Sequence, residues 1–418
     1  MMRYAIVGAS AAGISAAKTL RENDPNSEIT VFTKEKYLPY SRPIISYYLK
    51  SKVALDEIYL NDKSFYSHNK IGIKLNTEIN RIDVKNKRLL FDGGEYKFDK
   101  CLVATGSKPF VPSVENVGFQ KNVYTFLDME QAKKIKAVAT EKTKAVVIGA
   151  GLIGLKAAEG LRKITKSVTV VELAPKVLPS VLDDEAALIV KNHLKNSGIE
   201  ILLENTVARA NGDKKIESVT LKSGKTLPCD MLVFAVGVRP ETSLLESAGA
   251  KAERGVQVDK NTMETSLKDI YAAGDCVSSF DIVDGKQKII ALWPNAVREG
   301  KTAALNMCGK PHNDEGSFAV NAIDLFGLRI CTCGLIRDEN AKELKNAYEG
   351  SYKRLLVKNN KLVGFVLINC TEKAGIYTGI IKDGIDLNTL QCDIMNSPDL
   401  MLFEKRERTK KLTGGAEL

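Results

Sequence analysis

The chain has 418 residues, 44% of them hydrophobic and 27% charged, with 61 basic and 51 acidic side chains for a net charge of +10. That length allows two or three domains, and the composition is that of an ordinary globular protein rather than a disordered or fibrous one. No apolar run approaches the ~20 residues that span a bilayer, and no basic, aromatic-interleaved nucleic-acid module is present. Membrane and nucleic-acid partners are therefore set aside. The opening MMRYAIVGAS runs straight into a strand pattern without signal-peptide architecture, so a cytoplasmic location is expected.

In chain order, the first unit reads as strand Tyr4–Val7, turn Gly8-Ala9-Ser10-Ala11-Ala12-Gly13, helix Ile14–Arg21 and strand Glu28–Phe32. This is the logic of a dinucleotide-binding βαβ unit, in which glycines let backbone approach a pyrophosphate at a helix N-terminus. Ser10 replaces the middle glycine; it is small, so phosphate approach is expected to be strained rather than forbidden. Thr33 closes the second strand without an acid, leaving Glu35 as the carboxylate for a ribose. Arg42 sits in Pro39-Tyr40-Ser41-Arg42-Pro43, a segment that cannot begin as regular helix, where an arginine can reach a phosphate. Residues 71–104 read as short strands, with Asp92-Gly93-Gly94 as a hairpin signal. Ala104-Thr105-Gly106 ends a buried strand, and a Pro- and Gly-containing linker, Lys108–Gly118, follows.

The most specific stretch is Lys144–Glu172. Strand Ala145–Ile148, Gly149-Ala150-Gly151-Leu152-Ile153-Gly154, helix Leu155–Lys163 and strand Val168–Val171 lead to Glu172. Glu172 stands 23 residues after Gly149, where a carboxylate accepts from a ribose diol and repels a 2′-phosphate, favouring NADH over NADPH. Met231–Val236 then runs into Gly237-Val238-Arg239-Pro240, echoing the earlier strand-to-glycine ending, so the two halves form an internal repeat. Ile270–Ala273 ends in Gly274-Asp275, placing Asp275 at the carboxyl edge of a sheet. Helix Asn295–Asn306 follows. From about Phe318 the pattern becomes an α+β module, with strands Ala319–Leu325, Leu328–Gly334, Tyr352–Val357 and Leu362–Ile368, helix Ala374–Asp383 and a charged tail, Glu404–Lys411.

None of the eight cysteines forms C-x-x-C, and His68, His193 and His312 are scattered, so no metal site is predicted. Cys331 and Cys333 alternate in a strand pattern and should share a face. Buried, reduced thiols are the expectation.

Taken together, these motifs resemble the flavoprotein reductases with two dinucleotide-binding domains of the glutathione-reductase-like superfamily. Within it, the chain resembles the rubredoxin and ferredoxin reductase branch and the flavin region of assimilatory nitrite reductases. Leu292-Trp293-Pro294-Asn295-Ala296 and Ala374-Gly375-Ile376-Tyr377-Thr378 add to the likeness. The resemblance implies an α/β architecture with a FAD-binding domain at 1–110 and 239–310, an NAD-binding domain at 111–238, and a C-terminal interface domain at 311–418. It implies FAD contacts from Gly8, Ser10, Ala12, Gly13, Glu35 (ribose), Arg42 (pyrophosphate), Ile79 (adenine, through its backbone), Ala104, Thr105, Gly106, Gly237, Gly274, Asp275 (ribitol or pyrophosphate) and Trp293 (pyrimidine edge). For NADH it implies Gly149, Gly151, Leu152, Ile153, Gly154 and Glu172. Hydride transfer needs stacking and orientation, so no general acid or base is named.

Two departures narrow the reading. No cysteine precedes Cys101, and Pro43 stands where relatives carry a redox thiol, so a thiol relay is excluded. Many relatives also pair a lysine after R-P-x-x-S with a glutamate in the G-x-x-G-x-E helix; here those positions are Tyr47 and Lys156. Lys156 is therefore expected to supply a catalytic cation beside the flavin from the NADH side. Glu159 either faces the nicotinamide pocket or is buried for structural reasons. The leading function is an NADH-dependent flavin reductase for an iron–sulfur or rubredoxin-type carrier, whose acidity would suit the net positive charge. The alternatives are an NADH oxidase or diaphorase, and a flavoprotein subunit of a larger redox complex; a homodimer and a complex subunit are both left open.

Overall fold

The computed structural model describes residues 1–418 except 119, 349, 391–392 and 397–418. The charged segment Glu404–Lys411 and Cys392 lie outside the described residues. The first sheet has five parallel strands in the spatial order Ile71–Lys74, Glu28–Phe32, Arg3–Val7, Lys100–Val103 and Ile270–Ala272. Both faces are covered, so the strands read as near-continuous apolar runs rather than alternating ones. Helix α1 (Ala11–Asn23) follows the first strand. Short helices α2 (Ile45–Leu49) and α3 (Lys63–His68) lie in the long connection to Ile71–Lys74.

The second sheet repeats this plan as Ile199–Leu202, Ser167–Val171, Lys144–Ile148, Met231–Phe234 and Val123–Thr125, again parallel. It carries α4 (Met129–Val138), α5 (Leu152–Arg162) and α6 (Asp184–Asn196). Each sheet also has a three-stranded antiparallel meander in the same relative place, at 79–97 and at 207–228. The chain passes between the two units on a two-stranded ribbon, Ser107–Pro109 against Val238–Pro240. Then come α7 (Ser243–Ser247) and α8 (Trp293–Met307). A five-stranded antiparallel sheet of residues 320–368 follows, backed by α9 (Ala374–Asp383), which packs Tyr377 and Ile380 into its core.

Both parallel sheets reverse strand order beside their first strand, which opens a crevice at the carboxyl ends. There the backbones nearly touch. A Cβ on Gly8 would lie 2.1 Å from the Ala104 carbonyl oxygen, and one on Gly149 would lie 2.4 Å from that of Ala235. Gly13 and Gly154 meet Gly8 and Gly149 in the same way, at 1.9 and 2.0 Å. Those four glycines are fixed by packing of the fold itself. Gly151 differs, because its Cβ would meet nothing within 4 Å.

The helices start earlier than the sequence pattern indicates, α1 at Ala11 and α5 at Leu152. The motif residues themselves form the first turn, which aims that turn's N–H groups at the crevice. Helix α8 likewise begins at Trp293, with Pro294 in the first turn where its missing N–H costs nothing. The strand Lys342–Tyr348 was not predicted. It is an almost wholly exposed edge strand whose charged residues give no apolar alternation. Cys331 and Cys333 do share the buried face of one strand.

We expect Gly149→Ala to lose roughly 2–5 kcal/mol in urea unfolding. Its φ of 104° is unfavourable for any Cβ, and the carbonyl contact adds an overpacking cost.

Candidate functional site

The first crevice is built around the N-terminus of α1. Ser10 caps that helix with extended backbone but without a side-chain capping bond, so its hydroxyl and the first-turn N–H groups are uncommitted. At the matching place in the second unit, a Cβ on Gly151 would meet nothing within 4 Å. Gly274, at φ 83°, lies against Ala12, and the Cβ of Gly300 would strike the Ala12 carbonyl at 2.2 Å. Helix α8 therefore crosses α1 beside Ala12. Sequence reasoning missed Gly300; a lone glycine inside a helix pattern was the available signal.

Polar groups converge on the same end. Arg42 donates to Glu35 and to the Leu127 carbonyl (3.2 Å), and Tyr40 donates to the other Glu35 oxygen at 2.7 Å. Glu35 is thus held by two side chains, with a lone pair left on each oxygen. Burial raises the Asp275 carboxyl above its ordinary range, partly offset by the Ser107 hydroxyl at 3.3 Å and the Arg42 charge. Behind it, Glu299 accepts from the Gly274 N–H at 2.8 Å and from Ser279 Oγ at 2.5 Å. Complete burial pushes Glu299 up to about 7. Glu299 was also missed, because a carboxylate inside a helix looks like a surface residue. Ile79 opens the strand Ile79–Asp83 and is buried. Thr105 Oγ1 donates to the Glu241 carbonyl at 2.7 Å, while Gly106 and Gly237 take positive φ at the ribbon between the units.

In the second crevice the Glu172 carboxylate accepts from the Ala150 N–H at 2.6 Å and the Ala174 N–H at 2.8 Å. It is held at the rim, facing the end of α5 that carries Leu152 and Ile153. Lys176, four residues further along the chain, is already bound to the Leu182 carbonyl and Asp184, each at 2.8 Å. A 2′-phosphate would meet Glu172 and no free partner in Lys176.

The two units meet where α2 packs on α5. Leu49 fills the space over Gly160, whose Cβ would lie 2.8 Å from the leucine. Full burial of such a leucine is worth about 1.5–3 kcal/mol. Beside it, Glu159 Oε2 accepts from Lys50 at 2.9 Å and from Lys156 at 2.5 Å, while Oε1 accepts from the Phe326 N–H at 3.2 Å. Burial alone would raise the Glu159 carboxyl; the ammonium groups and the N–H outweigh it and hold the carboxyl below its ordinary range. Lys156 also donates to the Asp324 carbonyl at 3.0 Å and lies 5.0 Å from the Tyr47 ring centroid. Lys50 lies 4.5 Å from the same ring. A lysine–glutamate pair does join the two helices, but one turn beyond Tyr47 and Lys156, as Lys50–Glu159. Lys156 is therefore an anchored cation rather than a free one, and Glu159 is buried. Lys50 went unrecognised, although it lies three residues after Tyr47, as Glu159 lies three after Lys156.

Among the described residues no cluster of His, Cys, Asp and Glu could hold a metal ion, and the described cysteines are free thiols. No helix among them is long and apolar enough to cross a membrane.

Residues 2–300 match the pyridine nucleotide-disulphide oxidoreductase family. The chain belongs to that family. Residues 320–385 match a rubredoxin NAD+ reductase C-terminal domain. The rubredoxin-NAD(+) reductase of Pseudomonas putida is 32% identical over 387 residues, 91% of this chain and 99% of that protein. The nitrite reductase [NAD(P)H] of Bacillus subtilis is 29% identical across 92% of this chain, which spans only 47% of that relative's length. The NADH:rubredoxin oxidoreductase of Clostridium acetobutylicum superposes with a TM-score of 0.77 at 25% identity, covering 93% of this chain and 97% of that one. Members of the family are pyridine nucleotide-linked oxidoreductases that use FAD and NADH as cofactors. The duplicated glycine contacts and the uncommitted helix N-termini fit two pyrophosphates.

Two outcomes are expected. Glu172→Ala should lower the ratio of kcat/KM for NADH over NADPH about tenfold in steady-state assays, since it removes the ribose acceptor and the charge opposing a phosphate. Glu299→Gln should flatten the pH dependence of stability between about pH 5 and 7. The wild-type carboxyl stays neutral in the fold while it ionises in the unfolded chain, so stability falls as pH rises through that window. The gain for the variant at pH 8 is roughly 3 kcal/mol, read by urea unfolding.

Proposed function

We propose that the protein is an NADH-dependent flavin reductase that passes electrons to a small iron–sulfur or rubredoxin-type carrier. When bound, FAD would accept a hydride from NADH and release electrons onward. The observation that carries the reading is the pair of like crevices, one with Glu172 at its rim and one enclosing Asp275 and Glu35. They lie on two units whose helices α2 and α5 are in contact.

In this reading Gly8, Ser10, Ala12, Gly13, Gly274 and Asp275 hold the FAD pyrophosphate and ribitol. Arg42 lies near the pyrophosphate, Glu35 holds the adenosine ribose and the Ile79 backbone meets the adenine. Ala104, Thr105, Gly106 and Gly237 form the floor where the ribbon leaves the sheet. Trp293, the first residue of α8, brings a helix N-terminus to the pyrimidine edge, where it favours negative charge. Gly149, Gly151, Leu152, Ile153, Gly154 and Glu172 hold NADH. Lys156 supplies positive charge at the junction of the units. The unit boundaries are taken as 1–110 with 239–310, 111–238, and 311–418, consistent with the crossing ribbon at 107–109 and 238–240. The absence of any cysteine before Cys101 and the burial of that thiol argue against a thiol relay near α2. Direct electron release to a carrier is the consequence. The carrier is supported by the name of the Pseudomonas putida relative, which aligns almost end to end, and by the net charge of +10. A cytoplasmic location is part of the proposal, in keeping with the free thiols.

The test is anaerobic stopped-flow reduction of the holoprotein by NADH, followed by mixing with ferredoxin, rubredoxin or oxygen. Fast reoxidation by a carrier and slow reoxidation by oxygen are expected. Reaction with oxygen alone would make it an oxidase, and failure of NADH to bleach the flavin would remove the hydride-transfer assignment.

A further inference from the structure

The C-terminal sheet reaches the junction of the two dinucleotide-binding units through one hairpin. Strands Val320–Leu325 and Leu328–Gly334 are joined by Phe326-Gly327, and Leu325 pairs with Leu328. Both loop residues have positive φ, 52° for Phe326 and 90° for Gly327, the geometry of a type I′ turn. Phenylalanine is a poor residue for that position, which favours asparagine or glycine because other side chains crowd the backbone at positive φ.

What offsets the strain is visible around it. Three consecutive residues of the hairpin are bonded through their backbones to side chains of the NAD-type unit. Lys156 donates to the Asp324 carbonyl at 3.0 Å. His193 Nε2 donates to the Leu325 carbonyl at 3.0 Å, which fixes the proton on that nitrogen. The Phe326 N–H donates to Glu159 Oε1 at 3.2 Å. Leu325 is fully buried in the core shared with α5 and α6, and the Phe326 ring packs against that core. The Asp324 side chain accepts from the Gly327 N–H at 3.2 Å and so stabilises the turn internally.

We infer that this turn is a positioning element for the hydride-transfer site, holding Lys156 and Glu159 through the backbone of residues 324–326. The inference rests on the reading of Lys156 given above and extends it to the C-terminal module. The three hydrogens of the Lys156 ammonium are accounted for by Glu159, the Asp324 carbonyl and the face of Tyr47. Unseating the turn removes one acceptor from Lys156 and one donor from Glu159 together. The Lys50–Glu159–Lys156 group then relaxes as a unit, and with it the cation presented between α2 and α5. A strained non-glycine residue held in place by contacts from another unit is the arrangement expected of a coupling element rather than of a passive loop.

The test uses the holoprotein and compares wild type with His193→Ala/Phe326→Asn, Lys156→Met, the combination of the two, and Tyr352→Phe. Asn-Gly is the preferred type I′ pair, so the hairpin stays folded while the His193 bond to Leu325 and the packing of the Phe326 ring are lost. Tyr352→Phe cuts a different link between the modules, the 2.8 Å bond from its hydroxyl to Asp183. The turn variant should reduce flavin by NADH about fivefold more slowly, with unchanged NADH affinity and a flavin potential displaced in the same direction as in Lys156→Met. Adding the turn substitutions to Lys156→Met should cost nothing further, the signature of residues acting through one another. Tyr352→Phe should match wild type in rate and potential. The coupling is overturned, with the Lys156 reading intact, if the two losses multiply. It is overturned equally if the turn variant is normal while Lys156→Met is impaired, or if Tyr352→Phe is slowed to the same extent as the turn variant. A silent Lys156→Met overturns both the reading and this inference.

Discussion

The arrangement depends on a backbone contact made twice. Gly8 lies against Ala104, and Gly149 against Ala235, at distances that exclude a Cβ. Each contact joins the turn after the first strand to the end of the strand across the order reversal. It brings two chain segments together where a helix begins. Gly13 and Gly154 then let that helix fold back over the turn. Gly151, with open space in front of it, is free of this packing constraint and is explained only by what it leaves room for.

Between the two crevices a buried charged cluster lies beside the apolar contact of Leu49 with Gly160. Two lysines share one buried carboxylate oxygen, one from each unit, and both lie near the Tyr47 ring. Such a group carries net positive charge in a place where a lone ammonium would be costly. It is satisfied because the carboxylate, a backbone carbonyl and an aromatic face surround it. The same residues also join three parts of the chain, since the carbonyl and the N–H that complete the group come from the C-terminal hairpin. The cluster therefore ties the two units and the C-terminal hairpin together at one point and sets the local charge there.

The C-terminal module is attached at a second place by Tyr352 and Arg354 to Asp183, and by Arg337 and Lys345 to Asp184 and Glu185. The exposed pairs among these contribute little; the buried tyrosine bond and the buried turn carry the attachment.

The sequence by itself determined the two βαβ units, their repetition, the acid at Glu172 and the lack of a redox thiol before Cys101. Those features are local in the chain: glycine spacing, apolar runs and turn residues report directly on backbone conformation. It also exposed Tyr47 and Lys156 as a departure from the resembling family. Only the tertiary structure decided what replaced that pair. Lys50 and Glu159 lie over a hundred positions apart and meet because Leu49 seats on Gly160. The role of Phe326 was equally hidden, since a strained turn is tolerated only where distant groups hold its backbone, and no local pattern encodes that. The edge strand Lys342–Tyr348 and the buried Glu299 were missed for the mirror reason. Their polarity reads as solvent exposure, while hydrogen-bonded pairing and burial are properties of the neighbours the fold supplies.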